Sequence, residues 1–328
     1  MRDTVAIYHS LGISQQNRND VHKYIEMFYI REVELLISKR YSEQLFRCPV
    51  HLSVGQEAVA VGVSWNLKKT DKAISTHRSH AHYLAKGGSL FKMFAEIMGS
   101  AEGCCGGRGG SMHIFDQSVG FVSSIPIVGS SIPISAGLAM AEKVLGSDDV
   151  VVAYVGDASL ETGAFFETLN IASLKHLPLL IVIEDNGYST YANKSVRVPK
   201  NRDTKSLVEG FGVPFISGNG DQLDEVIELS HNAIALVRTG QTVVLEVSTF
   251  RLLEHCGPNN DDALGYRSIE EIESYKTRDP LVSVKKRFDN SQIALMSQAV
   301  SDHVERQYLR ARDIRESEFR DFQKVFRL

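Results

Sequence analysis

At 328 residues, 43% of them hydrophobic, the chain is long enough to bury a sizeable core and reads as one large domain with appended segments. Its 36 basic and 40 acidic residues leave a net charge of −4 without a long basic run, which argues against a nucleic-acid or acidic-membrane partner. Four cysteines are too few and too irregularly spaced for a disulfide framework or a CxxC metal pair, and neither a signal core nor an apolar run of membrane-spanning length is present, so a cytoplasmic, unprocessed chain is expected.

Residues 1–18 read as a polar lead. Asn19 or Asp20 then suits the cap of a helix whose apolar residues Val21, Tyr24, Ile25 and Phe28 fall at helical spacing. From 19 to 290 short apolar runs alternate with helical stretches: Val150 to Val155, a helix from about Thr162 to Lys175, Leu179 to Ile183, a helix near Asp224 to Arg238, and Thr242 to Val247. That alternation predicts an α/β domain, a parallel sheet with helices on both faces. Two interruptions, the glycine-rich stretch from Gly103 to Ser111 and the polar segment from Glu254 to Arg267, read as loops at strand ends, where such folds carry their chemistry. The tail 291–328 is charged and helix-favouring, which predicts a surface or subunit-contact helix.

Within the domain, VVVAYVGDASLETGAFFETLNIASLKHLPLLIVIEDNGYS reads strand, turn, helix, strand. A crossover helix places the C-terminal ends of both strands on one sheet edge, so Asp157 and Asn186 converge. A carboxylate, an amide oxygen and a backbone carbonyl suit magnesium, which takes the rest of its octahedron from water and phosphate. The helix expected to start just after Asp157 would present free N–H groups and a positive dipole end to a phosphate at the same place. Gly-Asp and Asp-Asn-Gly are also common turns, a bland reading that the pair alone leaves open.

The stretch resembles the thiamine diphosphate signature, here Gly156-Asp157-Ala158, 26 residues, then Asp185-Asn186. With HLSVGQEAVAVG, STHRSHAHYLAKG, GGRGGSMHIF and IVGSSIPISAGLA in order, residues 20 to 290 are similar to alpha subunits of the first component of 2-oxo acid dehydrogenases. The resemblance implies a thiamine diphosphate-binding fold of the diphosphate type, with thiamine diphosphate and Mg2+ as cofactors. It implies Asp157, Asn186 and the Tyr188 carbonyl as metal ligands, and Gly156, Ala158 and Ser159 beside the diphosphate. It also implies His77, Arg78 and Arg251 on the diphosphate, Ile127 and Val128 around the aminopyrimidine, and His255 and His80 as catalytic histidines, with His113 on the active-site loop. Arg78 carries a planar fork suited to a pair of diphosphate oxygens, and His255, with a pKa near neutrality, would donate or accept a proton. His51 and His82 read as structural.

In two-chain members the activating glutamate belongs to a beta subunit, so the resemblance implies an α2β2 partner, an inactive isolated chain, and a lipoyl-bearing acyltransferase as acceptor of the fragment from a 2-oxo acid. The loop 103–110 and the segment 255–266 are expected to order when cofactor binds, because glycine-rich and polar loops carry little packing of their own. Four positions depart from the family pattern. Ala158 replaces a glycine, Asp185 an asparagine, Leu253 a histidine and Cys256 a serine, so phosphorylation at that serine position is not available. FRLLEHCGPN resembles a branch associated with bacterial surface-polysaccharide genes, which keeps open a carbon-ligating reaction on a sugar. Ala158 and Asp185 keep open a chain that has lost cofactor binding.

Overall fold

The computed structural model describes residues 3–11 and 18–326. In chain order the helices are α1 (Asp3–Ser10), α2 (Arg18–Arg40), α3 (Glu57–Trp65), α4 (His80–Ala85), α5 (Leu90–Ile97), α6 (Ser131–Val144), α7 (Gly163–Lys175), α8 (Lys194–Arg197), α9 (Thr204–Glu209), α10 (Leu223–Arg238), α11 (Ile269–Arg278), α12 (Pro280–Lys285) and α13 (Asn290–Phe326). The strands are β1 (Lys72–Ser75), β2 (Phe121–Ser124), β3 (Val151–Gly156), β4 (Leu179–Asp185), a small antiparallel pair β5 (Tyr188–Ser189) and β6 (Ala192–Asn193), β7 (Phe215–Asn219) and β8 (Val243–Ser248).

Six strands make one parallel sheet in the order β2-β1-β3-β4-β8-β7. The central strands are apolar over most of their length because both faces are covered, polar residues entering only toward their C-terminal ends, and the two-residue side-chain period divides the apolar ones between two cores. Val152, Tyr154, Leu180, Val182, Leu245 and Val247 face a core built with α2, α3, α5, α10 and α13. Val151, Ala153, Val155, Leu179, Ile181 and Ile183 face a smaller core closed by α6, α7 and α9. The expected α/β architecture is therefore present.

Three expectations are corrected. The polar lead contains a helix, α1, with Thr4, Ile7 and Tyr8 buried; residues 1, 2 and 12–17 lie outside the described part. Asn19 and Asp20 stand in the first turn of α2 and do not precede it. The charged tail is more than a surface helix: Met296, Val300, Val304, Tyr308 and Ala311, spaced by four, four, four and three, are all buried against the main core. Among the described residues no helix is long and apolar enough to cross a membrane.

Asp221, in the turn between β7 and α10, is 2% exposed, and its carboxyl is pushed up to about 6 by burial, with Arg278 opposing and Asp279 adding to the rise. The folded value stands above the unfolded one, so ionisation weighs against the fold; the penalty is absent in acid and complete above the folded value. Asp221→Asn is expected to raise the unfolding free energy by roughly 2 kcal/mol at about pH 8 and to leave it unchanged near pH 4. Urea denaturation at the two pH values checks this.

Candidate functional site

A cleft of about 690 Å3 opens at the C-terminal edge of the sheet, where ligands bind in open α/β folds. Register explains how its distant residues meet. Gly156 pairs with Glu184 across β3 and β4, so the residues that follow each strand, Asp157 and Asn186, emerge side by side. Gly156, Asp157, Ala158 and Ser159 line one wall of the cleft. Asn186 and Tyr188 line the next, reached through Gly187, whose φ of +76° reverses the chain after β4. His77 and Arg78 enter from the end of β1, Val128 from the loop before α6, and His255 from the segment after β8.

Asp157 is 5% exposed and meets Nη2 of Arg197 at 2.5 Å; the same guanidinium also pairs with Glu161. Burial pushes the Asp157 carboxyl up, Arg197 pulls it back, and neighbouring Asp185 adds to the rise. Asp185 points away from the cleft: one oxygen accepts from the Gly187 N–H at 2.9 Å and the other pairs with Lys194. Its charge is thus matched within the protein. The Asn186 amide oxygen accepts from the Tyr188 N–H at 3.0 Å. Ala158 lies in a 3-10 turn, Asp157–Glu161, with negative φ, so a methyl there strains nothing. The chain just after Asp157 is thus this 3-10 turn, and α7 follows at Gly163, within a residue of the helix expected from about Thr162 to Lys175. The amides at the start of the turn are the ones its short helix leaves without internal partners.

The opposite wall is cationic and aromatic. Arg78 is 6% exposed; Nη1 donates to the Leu52 carbonyl at 2.5 Å and Nη2 to that of His255 at 3.2 Å. His51, His77 and His255 pack edge to face, with ring centroids 4.6, 5.2 and 5.4 Å apart. Burial and the nearby Arg78 charge lower the His255 imidazole to about 4, and His77 falls to about 3 for the same reasons. The near-neutral value expected of His255 is therefore corrected: it is an uncharged imidazole at pH 7.

Several anticipated residues sit elsewhere. His80 is fully buried, Nδ1 at 3.0 Å from Glu34 and Nε2 at 2.8 Å from the Ser111 hydroxyl, so both nitrogens are used in the core. Arg251 does not line the cleft; it donates to the Leu253 carbonyl at 2.6 Å and the Tyr266 hydroxyl at 2.9 Å, and lies 3.6 Å from buried Asp261. Asp261 also holds Arg267, so the segment 255–266 has polar contacts of its own. Ile127 is 70% exposed and borders the cleft only through its neighbour Val128, itself 48% exposed. His113 is exposed on its loop, and His82 bridges the Ser75 hydroxyl and Glu184. Gln56, Thr76, Glu184, Ser189 and Thr190 line the cleft and went unnoticed in the sequence, as did Arg197.

The glycine-rich loop is likewise fixed. The buried Glu96 carboxylate accepts from the N–H groups of Cys105 (2.6 Å), Gly107 (2.9 Å), Gly109 (2.6 Å) and Gly110 (3.1 Å). Glu96→Ala is expected to speed amide hydrogen exchange at these four positions while leaving β3 and β4 protected, as hydrogen-exchange mass spectrometry would show.

With this geometry in view, comparison with known proteins assigns the chain. Residues 25–316 match the model of the dehydrogenase E1 component family. The pyruvate dehydrogenase E1 component subunit alpha of Rickettsia bellii (strain RML369-C) is 35% identical over 275 residues, covering 81% of this chain and 83% of that protein. The subunit of the same name from Rhizobium meliloti (strain 1021) is 33% identical over 271 residues, 82% and 77% of the two chains. The chloroplastic alpha-3 subunit from Arabidopsis thaliana is 32% identical over 278 residues, 83% and 64%. The chain thus belongs to the dehydrogenase E1 component family, as an alpha subunit of the 2-oxo acid dehydrogenase type.

Proposed function

We propose that this alpha subunit binds the diphosphate and magnesium of thiamine diphosphate, and that a beta subunit completes each active site of a cytoplasmic α2β2 enzyme that decarboxylates a 2-oxo acid. One observation carries the reading: Asp157, Asn186, Tyr188, Arg78 and His255 line the same cleft. The donors fit the group. A buried carboxylate, an amide oxygen and a nearby backbone carbonyl are the hard oxygen ligands magnesium takes, and Asp157 already attracts a cation in Arg197. Arg197, paired with Glu161 as well, can yield that carboxylate without losing every partner.

When bound, the cofactor supplies a nucleophilic carbon and an electron sink for decarboxylation. The protein's part is orientation and proton control. Arg78, moving its fork from two backbone carbonyls to the diphosphate, would fix that end, with His77 beside it. Val128 and Ile127 offer an apolar wall for the aminopyrimidine. His255, uncharged in the cleft, is placed to accept a proton, and a diphosphate anion nearby would raise its affinity for one. The pairing of Asp185 with Lys194 and the unstrained Ala158 support retained cofactor binding over a subunit that has lost it. The relatives are pyruvate dehydrogenase subunits, which favours a 2-oxo acid substrate with a lipoyl-bearing acyltransferase as acceptor.

The test is to purify the chain with its native partner, identify that partner by mass spectrometry, and assay bound thiamine diphosphate, magnesium and release of CO2 from 2-oxo acids. A beta-type partner, bound cofactor and CO2 release are expected. An intact two-chain complex that binds no thiamine diphosphate when it is supplied with excess magnesium would overturn the reading.

A further inference from the structure

Cys104 and Cys105 stand side by side at the start of the glycine-rich loop, outside the lining of the cleft and unused by the proposed chemistry. Their sulfurs lie within 4.8 Å of each other and of a Glu96 carboxylate oxygen. That carboxylate has no lone pair to spare for a metal. Oε2 accepts the N–H groups of Cys105 and Gly107, and Oε1 those of Gly109 and Gly110. What remains is a pair of partly exposed thiols. The Cys105 thiol donates to the His113 carbonyl at 2.8 Å. A hydrogen bond between the two thiols pushes Cys104 up and pulls Cys105 down, so Cys105 is the first to become a thiolate.

We propose that Cys104 and Cys105 form a peroxide-sensitive dithiol whose closure to a disulfide frees the glycine-rich loop from Glu96 and loosens α4 through Ser111. The Cys105 thiolate attacks one oxygen of hydrogen peroxide, the O–O bond breaks, and the departing oxygen takes up a proton, leaving a sulfenic acid on Cys105. Cys104 then attacks that sulfur. An S–S bond forms, the S–O bond breaks, and the hydroxyl leaves as water with the Cys104 proton, so two thiols are oxidised while one peroxide is reduced to two waters. Neighbouring Cα atoms are about 3.8 Å apart, below the roughly 4.4–6.8 Å of most disulfides, so the ring is strained and easily reduced, as a reversible switch requires. Closure removes the S–H that holds the His113 carbonyl and twists the peptide whose N–H, that of Cys105, reaches Glu96 at 2.6 Å. At the far end of the loop the Ser111 hydroxyl lies 2.8 Å from Nε2 of His80, and the Ser111 carbonyl accepts from the Ser79 hydroxyl at 3.4 Å. Ser79 and His80 begin α4 and directly follow Arg78, so a slackened loop reaches the turn that carries the guanidinium of the cleft.

The full chain is treated with hydrogen peroxide, alkylated and digested with trypsin. Cleavage after Lys92 and Arg108 leaves both cysteines in one peptide and Cys48 and Cys256 in others. That peptide should lose the mass of two hydrogens and resist alkylation until dithiothreitol is added, while Cys48 and Cys256 stay open to alkylation. Hydrogen-exchange mass spectrometry should show faster exchange over 103–111 and α4 in the oxidised chain than in the reduced one, with β3 and β4 unchanged. Reduced Cys105→Ser should exchange like the parent and not respond to peroxide, whereas Cys256→Ser should respond as the parent does. None of these readouts involves thiamine diphosphate, so their failure is separate from failure of the proposed function. Four thiols that all stay open to alkylation, a cross-link to Cys48, a sulfinic acid in place of the disulfide, or a disulfide that leaves exchange over the loop and α4 unchanged would overturn the proposal.

Discussion

Replacing Asp157 by alanine is expected to weaken binding of thiamine diphosphate in the presence of magnesium by about 100-fold or more, equivalent to ~2.7 kcal/mol, while the protein stays folded. The loss follows from the donor set: Asp157 is the carboxylate among the proposed ligands, and without it the metal would rest on the neutral oxygens of Asn186 and the Tyr188 backbone, while Glu184, which also lines the cleft, stays paired with His82. Arg197, still held by Glu161, would remain beside an uncompensated site. The fold survives for a separate reason. The carboxyl is pushed up by burial, so its ionised form is disfavoured in the folded protein, and its removal at neutral pH relieves that cost while forfeiting the Arg197 pair. Calorimetric titration of the two-chain complex and thermal denaturation of the variant together check both halves. A stable variant that binds cofactor like the parent would show that Asp157 is no metal ligand.

Asp157 was legible in the sequence because it follows a strand whose apolar run is unmistakable. Strands β3, β4 and β8 are buried on both faces over most of their length, so runs rich in Val, Ile and Leu mark them out, with polar residues such as Glu184, Asp185, Glu246 and Ser248 confined mainly to their C-terminal ends. By contrast β1, β2 and β7 (KAIS, FVSS and FISGN) are short or polar, and only pairing with neighbours makes them strands. The crossover rule then sufficed to bring Asp157 and Asn186 together. Arg197 escaped notice because its position depends on the β5–β6 turn, which brings a residue 40 positions away onto Asp157. His80 and His51 sit in places that the motif alone did not indicate. Motif position offered His80 as catalytic, yet Glu34, a core residue of α2, takes it into the interior. His51 read as structural, yet its bridge to Gly257 sets it against His77 and His255. The fixed conformation of the glycine-rich loop was invisible for a similar reason, since the group that holds it, Glu96, lies in the helix before it.

The block HLSVGQEAVAVG marked a family likeness without a physical role for its glutamate, and the structure supplies one whose loss should be costly. Glu57, fully buried at the start of α3, pairs through both oxygens with Arg31 of α2, and Arg31 reaches Asp279 at 2.9 and 3.0 Å. The Glu57 oxygens also accept from the N–H of Gly55 at 3.1 Å, a residue whose φ of +98° is suited to glycine. One carboxylate therefore ties α2, the turn before α3 and, through Arg31, the start of α12. Glu57→Ala would strand a buried guanidinium with a single partner and is expected to lower the unfolding free energy by about 3–5 kcal/mol. Arg31→Met in the same background should restore part of that loss, because removing both charges is cheaper than isolating one. Urea denaturation of the two single variants and the double variant measures the coupling. Additive losses would mean that the pair contributes no more than its separate packing, and an unchanged midpoint for Glu57→Ala would remove the network from any account of what holds α2 to α3.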